Sequence, residues 1–373
     1  MSCPRIEVDL SKIRVNTQTV VRRLGPRGIG VTAVTKAVCG HPAIAKAILD
    51  GGALGLTDAR INNVQRLRQA GITCPVTLIR TPMLSQVDEV VQFCEASYNT
   101  EIAVIAALAS AAIRKDKVHG IILMVEMGDR REGILPENVA EVAQQVMTME
   151  GVALTGIGAN FACLSGIAPS ASQMASLCDL ANEVEGVCGP FLKTVSGGNS
   201  ANLPWALGDR TTGRINDLRL GEAILLGVDP TSGDQIGGMY TDAFTLVAEV
   251  IETGVKPAPF PIALTDPTTE RLRTVTSRGA SARMILAMGH QDTDILGLSM
   301  PVGSTLIGAT SDHLVIGTSR SMKQVGSEVR FQMNYNALMH AMAAPDIEVK
   351  LLGDPPTRLS RRAQGKVEHL ALV

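Results

Sequence analysis

Short apolar runs bounded by turn residues recur from residue 5 to residue 220, and most are followed by an amphipathic stretch long enough for a helix. Arg5 to Leu10 alternates polar and apolar positions as a half-buried strand does, and Ser11 reads as the cap of a helix that gathers Ile13, Val20, Val21 and Leu24 on one side. Gly25-Pro26 stops it. From Gly30 to Ala37 the run is β-branched and bounded by glycine, the pattern of a parallel strand covered on both faces. Seven further runs follow at 53–57, 76–81, 96–100, 119–127, 153–161, 193–196 and 217–220. Helical stretches lie among them at 42–49, 59–70, 84–94, 101–115, 136–148 and 172–187. Eight strand-then-helix units predict an α/β fold of the TIM type, a (β/α)8 barrel over residues 10–235.

Past Gly227 the pattern changes. Gly233, Gly237 and Gly238 mark a linker, and the runs beyond it, at 245–251, 280–287, 305–307, 313–316, 328–332 and 347–351, are strand-like with no clear helix between them. They predict a mainly β C-terminal domain over 236–353, which the N-terminal strand, residues 1–9, is free to join. Pro257, Pro259, Pro261 and Pro267 predict an irregular loop, and the polar stretch 354–373 is expected to be an unstructured tail or to pack on a neighbour.

Composition narrows the function classes. A formal net charge of −2 with no basic run beyond Arg361-Arg362 argues against nucleic-acid or membrane partners, so the expected ligand is a small molecule. Seven scattered cysteines without CxxC spacing predict neither a disulfide framework nor a zinc site, and no metal is expected. With no long apolar segment near the N-terminus, a cytoplasmic location is the expectation.

The chemistry is concentrated at predicted strand ends. Lys36 closes the first barrel strand, where barrels carry their active residues, although a solvated strand-end lysine fits the local pattern equally well. Ser196-Gly197-Gly198-Asn199-Ser200 follows the seventh strand and Leu220-Gly221-Glu222-Ala223 the eighth. Glycines let backbone N–H groups approach an anion, and a serine hydroxyl donates to it directly; either loop alone also reads as an ordinary tight turn. Two such loops at these strand ends favour phosphate, and phosphate with a strand-end lysine suggests pyridoxal 5'-phosphate carried on Lys36 as a Schiff base.

These residues also carry a resemblance. The motifs Val34-Thr35-Lys36, Cys39-Gly40-His41-Pro42, Glu126 to Gly133, Ser196 to Pro204, Leu218 to Ala223, Thr241 to Phe244 and Ser311 to Leu314 resemble, in this order, the alanine racemase-like family of pyridoxal-phosphate enzymes of fold type III, and within it the ornithine racemase-like branch. The resemblance runs from about Glu7 to Leu352. It implies a barrel followed by a β domain, a homodimer with shared active sites, and interconversion of L- and D-amino acids by proton exchange at Cα. Ornithine or another basic amino acid is the implied substrate, with Glu132 a carboxylate able to receive its distal ammonium. A metal-dependent D-threonine aldolase-like lyase and a non-catalytic cofactor carrier are the alternatives within similar folds.

Residue by residue, the resemblance makes Lys36 the cofactor lysine and Arg219 the partner of the pyridine nitrogen, with Ser200, Gly221, Glu222 and Tyr335 at the phosphate. Arg131 matches a catalytic arginine near the substrate carboxylate. Asn160 stands where alanine racemases carry a histidine against the cofactor ring. Racemisation needs an acid/base group on each face of Cα. Alanine racemases supply the second from a tyrosine of the partner's β domain, but this chain has no tyrosine between Ala243 and Gln332. His290 is the leading substitute; Asp292, Asp312, His313 and Tyr240 are the others, with Ser311 and Asp312 in the loop that matches the substrate-facing one. Cys39 and Cys163 either line the site or pack as buried thiols.

Overall fold

The structure is a computed structural model, which describes residues 4–189, 192–256, 263–264, 273–274, 281–319 and 322–353. The four-proline loop and the tail lie outside the described residues.

Strand β1 (Arg5–Asp9) leads into α1 (Leu10–Leu24), and the barrel strands follow: β2 (Gly30–Val34), β3 (Gly55–Asp58), β4 (Val76–Leu78), β5 (Ala96–Asn99), β6 (His119–Val125), β7 (Val152–Ala159), β8 (Thr194–Ser196) and β9 (Asp217–Leu220). Between and after them run α2 (Pro42–Asp50), α3 (Ile61–Gln69), α4 (Val87–Phe93), α5 (Ile102–Arg114), α6 (Val139–Met147), α7 (Ala171–Cys188), α8 (Leu203–Ala206) and α9 (Glu222–Leu226). The eight barrel strands are parallel and close, with β2 pairing β9 in the register Thr32 to Arg219 and Ala33 to Leu220. Covered on both faces, they need no polar alternation; every residue of β6, HGIILMV, is buried.

The second sheet comprises β10 (Phe244–Lys256), β13 (Ser281–Leu286), β14 (Leu298–Ser299), β15 (Ser304–Ala309), β16 (Leu314–Thr318), β17 (Glu328–Met333) and β18 (Glu348–Leu352), with the short pair β11 (Ala263–Leu264) and β12 (Arg273–Thr274) apart from it. Its path runs β14-β17-β10-β13-β16-β15, and β1 joins it, antiparallel to β10 and parallel to β18. Ile6 and Val8 are fully buried there, so the N-terminal alternation serves the C-terminal sheet.

Local details differ from the sequence reading. The cap of α1 is Asp9, whose carboxylate accepts from Lys12 N at 3.0 Å, two residues before Ser11. The 84–94 stretch begins as a 3-10 turn, Leu84–Gln86, before α4. The β domain also contains, among the described residues, one α-helix, α10 (Tyr335–Ala343), capped by Asn334 and burying Leu338, Ala341 and Met342. A single short amphipathic helix among strands offers too few turns for its period to stand out.

His119, the first residue of β6, is buried, and its Nε2 lies 2.8 Å from Ser97 Oγ. That oxygen accepts from Asn99 Nδ2 at 3.0 Å, which leaves its own proton to donate to a neutral imidazole. Burial pushes the His119 pKa down to about 4. An unfolded histidine takes up its proton near pH 6.5, so folded stability is full above that pH and is lost as pH falls toward the folded value. Denaturant unfolding should show a loss approaching ~3 kcal/mol over this window, and the His119→Gln variant should lose that part of the slope.

Candidate active site

The backbone turns sharply where β2 ends. Thr35 N donates to Thr57 O, Lys36 opens a 3-10 turn through Val38, and Cys39 follows in the left-handed region with φ of 52°. Left-handed backbone at a non-glycine residue costs energy that the surrounding structure must supply. The turn is pinned from below by Asp58, fully buried at the end of β3, which accepts from Thr35 Oγ1 at 2.7 Å, Arg60 N at 2.9 Å and Asn63 Nδ2 at 3.0 Å. Burial pushes the Asp58 carboxyl up, against the pull of these donors.

The two glycine-rich loops meet at the same mouth. Gly198 has φ of 127°, and a Cβ there would lie 2.3 Å from Asn202 Oδ1, so only glycine fits the turn. Ser200 Oγ accepts from Ala223 N at 3.2 Å, tying the loop after β8 to the first turn of α9. At Gly221 a Cβ would come within 3.1 Å of Val34 Cβ, so the missing side chain lets the last strand's exit pack closely against the end of the first strand. Glu222 is half-buried; burial and the charge of Asp229 raise its pKa to about 7, offset in part by Lys36. Tyr335 opens α10, which packs on the Lys36–Val38 turn. Its hydroxyl is pushed up by burial and by the charges of Glu222, Cys163 and Asp58. A helix of the β domain therefore walls one side of the barrel mouth within the same chain.

Arg219 is buried in the barrel. Nη1 donates to Ser196 Oγ at 2.5 Å and to Tyr98 Oη at 3.2 Å, Nη2 donates to Ala159 O at 2.7 Å, and the guanidinium lies 4.7 Å from the Tyr98 ring centroid. Three of its five N–H donors are thereby used.

A second network occupies the exits of β6 and β7. The buried Asp129 carboxylate accepts from Asn160 Nδ2 at 2.8 Å, Leu164 N at 2.9 Å and Ser165 N at 3.2 Å, and Arg131 Nε lies 3.7 Å away. Burial alone would raise its pKa, but these donors and Arg131 hold it below the usual carboxylate value. Asn160 also accepts from Asn199 Nδ2 at 3.1 Å, linking this network to the loop after β8. Glu132 lies 3.3 Å from the same Arg131 Nε, and the loop carrying Arg131 is capped by Glu126, which accepts from Gly128 N, Arg130 N and Arg131 N.

Lys36, Glu222, Ser200, Gly221, Tyr335, Arg219, Asn160 and Arg131 thus belong to one end of the barrel. His290 and Asp292 do not join them. His290 N donates to Thr310 O at 2.9 Å and Gln291 N to Ser311 O at 3.1 Å, so the 289–292 loop is fastened to the loop carrying Ser311, Asp312 and His313. His290, Ser311, Asp312 and His313 are exposed on the β domain and, among the described residues, make no hydrogen bond or ion pair with the Lys36 region. Tyr240 lies against α1, its ring 5.6 Å from Lys12 Nζ. Cys39 is half-buried, with its pKa raised chiefly by burial, and its carbonyl accepts from Arg66. Cys163 is exposed at the mouth, its Sγ 3.3 Å from Asn199 Nδ2. Among the described residues no three His, Cys, Asp or Glu side chains cluster as metal ligands. Asp58, Tyr98 and Asp217 have no role in the sequence reading, and each acts through tertiary contacts; Asn199 stands inside the glycine-rich loop after the seventh strand and Asp129 inside the Glu126–Gly133 motif, but their partners were not legible there.

A closed parallel barrel with a lysine leaving its first strand, an anion-type cradle on its last two and an antiparallel sheet appended defines the two-domain alanine racemase class. Residues 8–229 match the family model for the alanine racemase N-terminal domain, and the chain belongs to that family. It is 34% identical to the ornithine racemase of Acetoanaerobium sticklandii over 94% of this chain and 99% of that protein. It is 34% identical to the lysine racemase of Thermotoga maritima over 93% of this chain and 98% of that protein. A crystal structure of alanine racemase from Bartonella henselae with covalently bound pyridoxal phosphate shares the fold with a TM-score of 0.72 at 16% identity, covering 94% of this chain and 100% of that one.

Proposed function

We propose that this protein is a pyridoxal-phosphate-dependent racemase of a basic amino acid, ornithine or lysine in type. The observation that carries the reading is the meeting of Lys36 with the Ser200, Gly221 and Glu222 cradle at one barrel mouth, in a chain whose full-length relatives are named as racemases of those two amino acids.

The residues present fit the cofactor. Ser200 Oγ and the amides of the first turn of α9 suit a phosphate, and Gly221 lets that turn pack closely against the end of the first strand. Lys36 would hold the group through Nζ, Arg219 would meet the ring nitrogen, Asn160 would face the ring and Tyr335 would reach the phosphate. When bound, pyridoxal phosphate supplies a carbonyl that condenses with an amine and a ring that draws electron density from Cα.

The rest of the work falls to side chains. Arg131 pairs its planar fork with the substrate carboxylate, held in place by Asp129 and Glu132. Lys36 Nζ moves a proton at one face of Cα. An arginine does not give up its guanidinium proton, so Arg219 would not protonate the ring nitrogen; the ring would draw electrons more weakly, and proton return is kept at Cα. For the opposite face we place His290 of a second copy of the chain, with Ser311 and Asp312 beside it at the substrate, in a homodimer with shared sites.

Four outcomes check this reading. Purified protein incubated in deuterium oxide with L-ornithine or L-lysine should yield the D-enantiomer with deuterium at Cα, and absence of both would overturn it. In the same assay Lys36→Ala should abolish exchange and the visible cofactor band, and His290→Asn should slow racemisation by about 10²-fold. Glu222 loses its proton near pH 7 and then repels phosphate, so cofactor affinity should fall as pH rises through 7 more steeply in the wild type than in Glu222→Gln.

A further inference from the structure

Arg219 is 3% exposed, yet no carboxylate forms a direct ion pair with it among the described residues. A cation taken out of water without compensation is strongly destabilising. The nearest route to an anion passes through one hydroxyl. Arg219 Nη1 donates to Ser196 Oγ at 2.5 Å, and Ser196 donates its own proton to Asp217 Oδ2 at 2.5 Å. The other oxygen, Asp217 Oδ1, accepts from Thr32 Oγ1 at 2.5 Å. The barrel register builds this arrangement: Asp217 and Arg219 are two apart on β9 and face the same way, Ser196 pairs with Asp217, and Thr32 pairs with Arg219.

We infer that Asp217 is the counter-ion of Arg219, acting through the Ser196 hydroxyl, and that it thereby sets the charge Arg219 presents to a bound cofactor. Ser196 is oriented by having one donor to accept from and one acceptor to donate to, so its dipole passes the carboxylate's field to the guanidinium. Burial raises the Asp217 pKa, while the Ser196 and Thr32 hydroxyls and the Arg219 charge pull it back toward the ionised form. Tyr98, stacked on the guanidinium, adds a neutral contact and no anion. Asp217 is a positioning residue here: it touches neither substrate nor cofactor. The second half of the inference rests on the cofactor reading above; the first half does not.

The two halves are tested separately. In the cofactor-free full chain, thermal unfolding of Asp217→Asn, Arg219→Met and the double variant forms a double-mutant cycle. Each single change strands one charge and should lower the melting temperature, and the double variant should melt well above the sum of the two losses. Additive losses would overturn the counter-ion assignment whatever the enzyme does. Should Asp217→Asn not fold, Ser196→Ala cuts the relay with both charges kept, and pairing it with Arg219→Met gives the same readout. In the loaded protein, Asp217→Asn and Ser196→Ala should both move the visible absorption maximum of the bound cofactor in the same direction. An unmoved band in both would overturn the effect on the cofactor.

Discussion

Pairing of the first barrel strand with the eighth is the constraint on which the site depends. Parallel strands hydrogen-bond only in register, and the register that sets Thr32 against Arg219 and Ala33 against Leu220 determines what faces what above and within the barrel. Lys36 and Glu222, far apart in sequence, are brought close enough for the charge of one to shift the other. A slip of one residue would turn Arg219 away from the interior and face its neighbours inward instead. The cost of ordering so many distant residues falls on the barrel's buried Val, Ile and Leu side chains, whose contacts do not involve the polar site at all.

The polar residues at the mouth are held by networks instead of isolated contacts. Asp58 fixes the turn carrying Lys36, Asn202 fixes the loop after β8, and Asp129 ties Asn160 to the loop at Leu164 and Ser165. Each network centres on a buried carboxylate or amide whose donors or acceptors come from backbone as well as side chains, so the loops cannot move independently of the groups they present. Left-handed backbone at Cys39, Arg130 and Ala162, all non-glycine, lies at the exits of β2, β6 and β7. These three sit beside the residues that carry chemistry, as expected where geometry at the site outranks local preference, whereas Asp116, the other non-glycine residue of positive φ among those described, lies in the loop before β6.

Much of this was legible from the chain alone. Eight short apolar runs alternating with helical stretches fit a parallel sheet covered on both faces, and their number and span favour the closed barrel over an open sheet; Lys36, Ser200 and Gly221 follow once strand ends are counted. Less legible were residues whose partners lie across the fold. Asp129 reads as one charge among four consecutive ones, Asp217 as a strand-end carboxylate, and nothing near Tyr98 announces that an arginine from the last strand will stack on it. Tyr335 was recognisable by resemblance, but the helix that delivers it is too short to show a period. His290 and the Ser311–His313 loop illustrate another limit: that the two loops are fastened to each other, and make no hydrogen bond or ion pair with the Lys36 region among the described residues, is set by the strand pairing of the β domain and not by any local pattern.

Strand β1 has a consequence for how the protein is made. Its partners are β10 and β18, so β1, made before every other element described, finds its last neighbour only when residues 348–352 emerge. At elongation rates of about 5–20 residues per second, that interval is on the order of half a minute. The barrel can assemble during it, since its strands are complete by residue 220. Ile6 and Val8 meanwhile offer an unpaired apolar edge to any other chain nearby. Synthesis thus has an intrinsic order, barrel early and sheet late, and crowding of nascent chains on one messenger is the condition under which that order becomes hazardous.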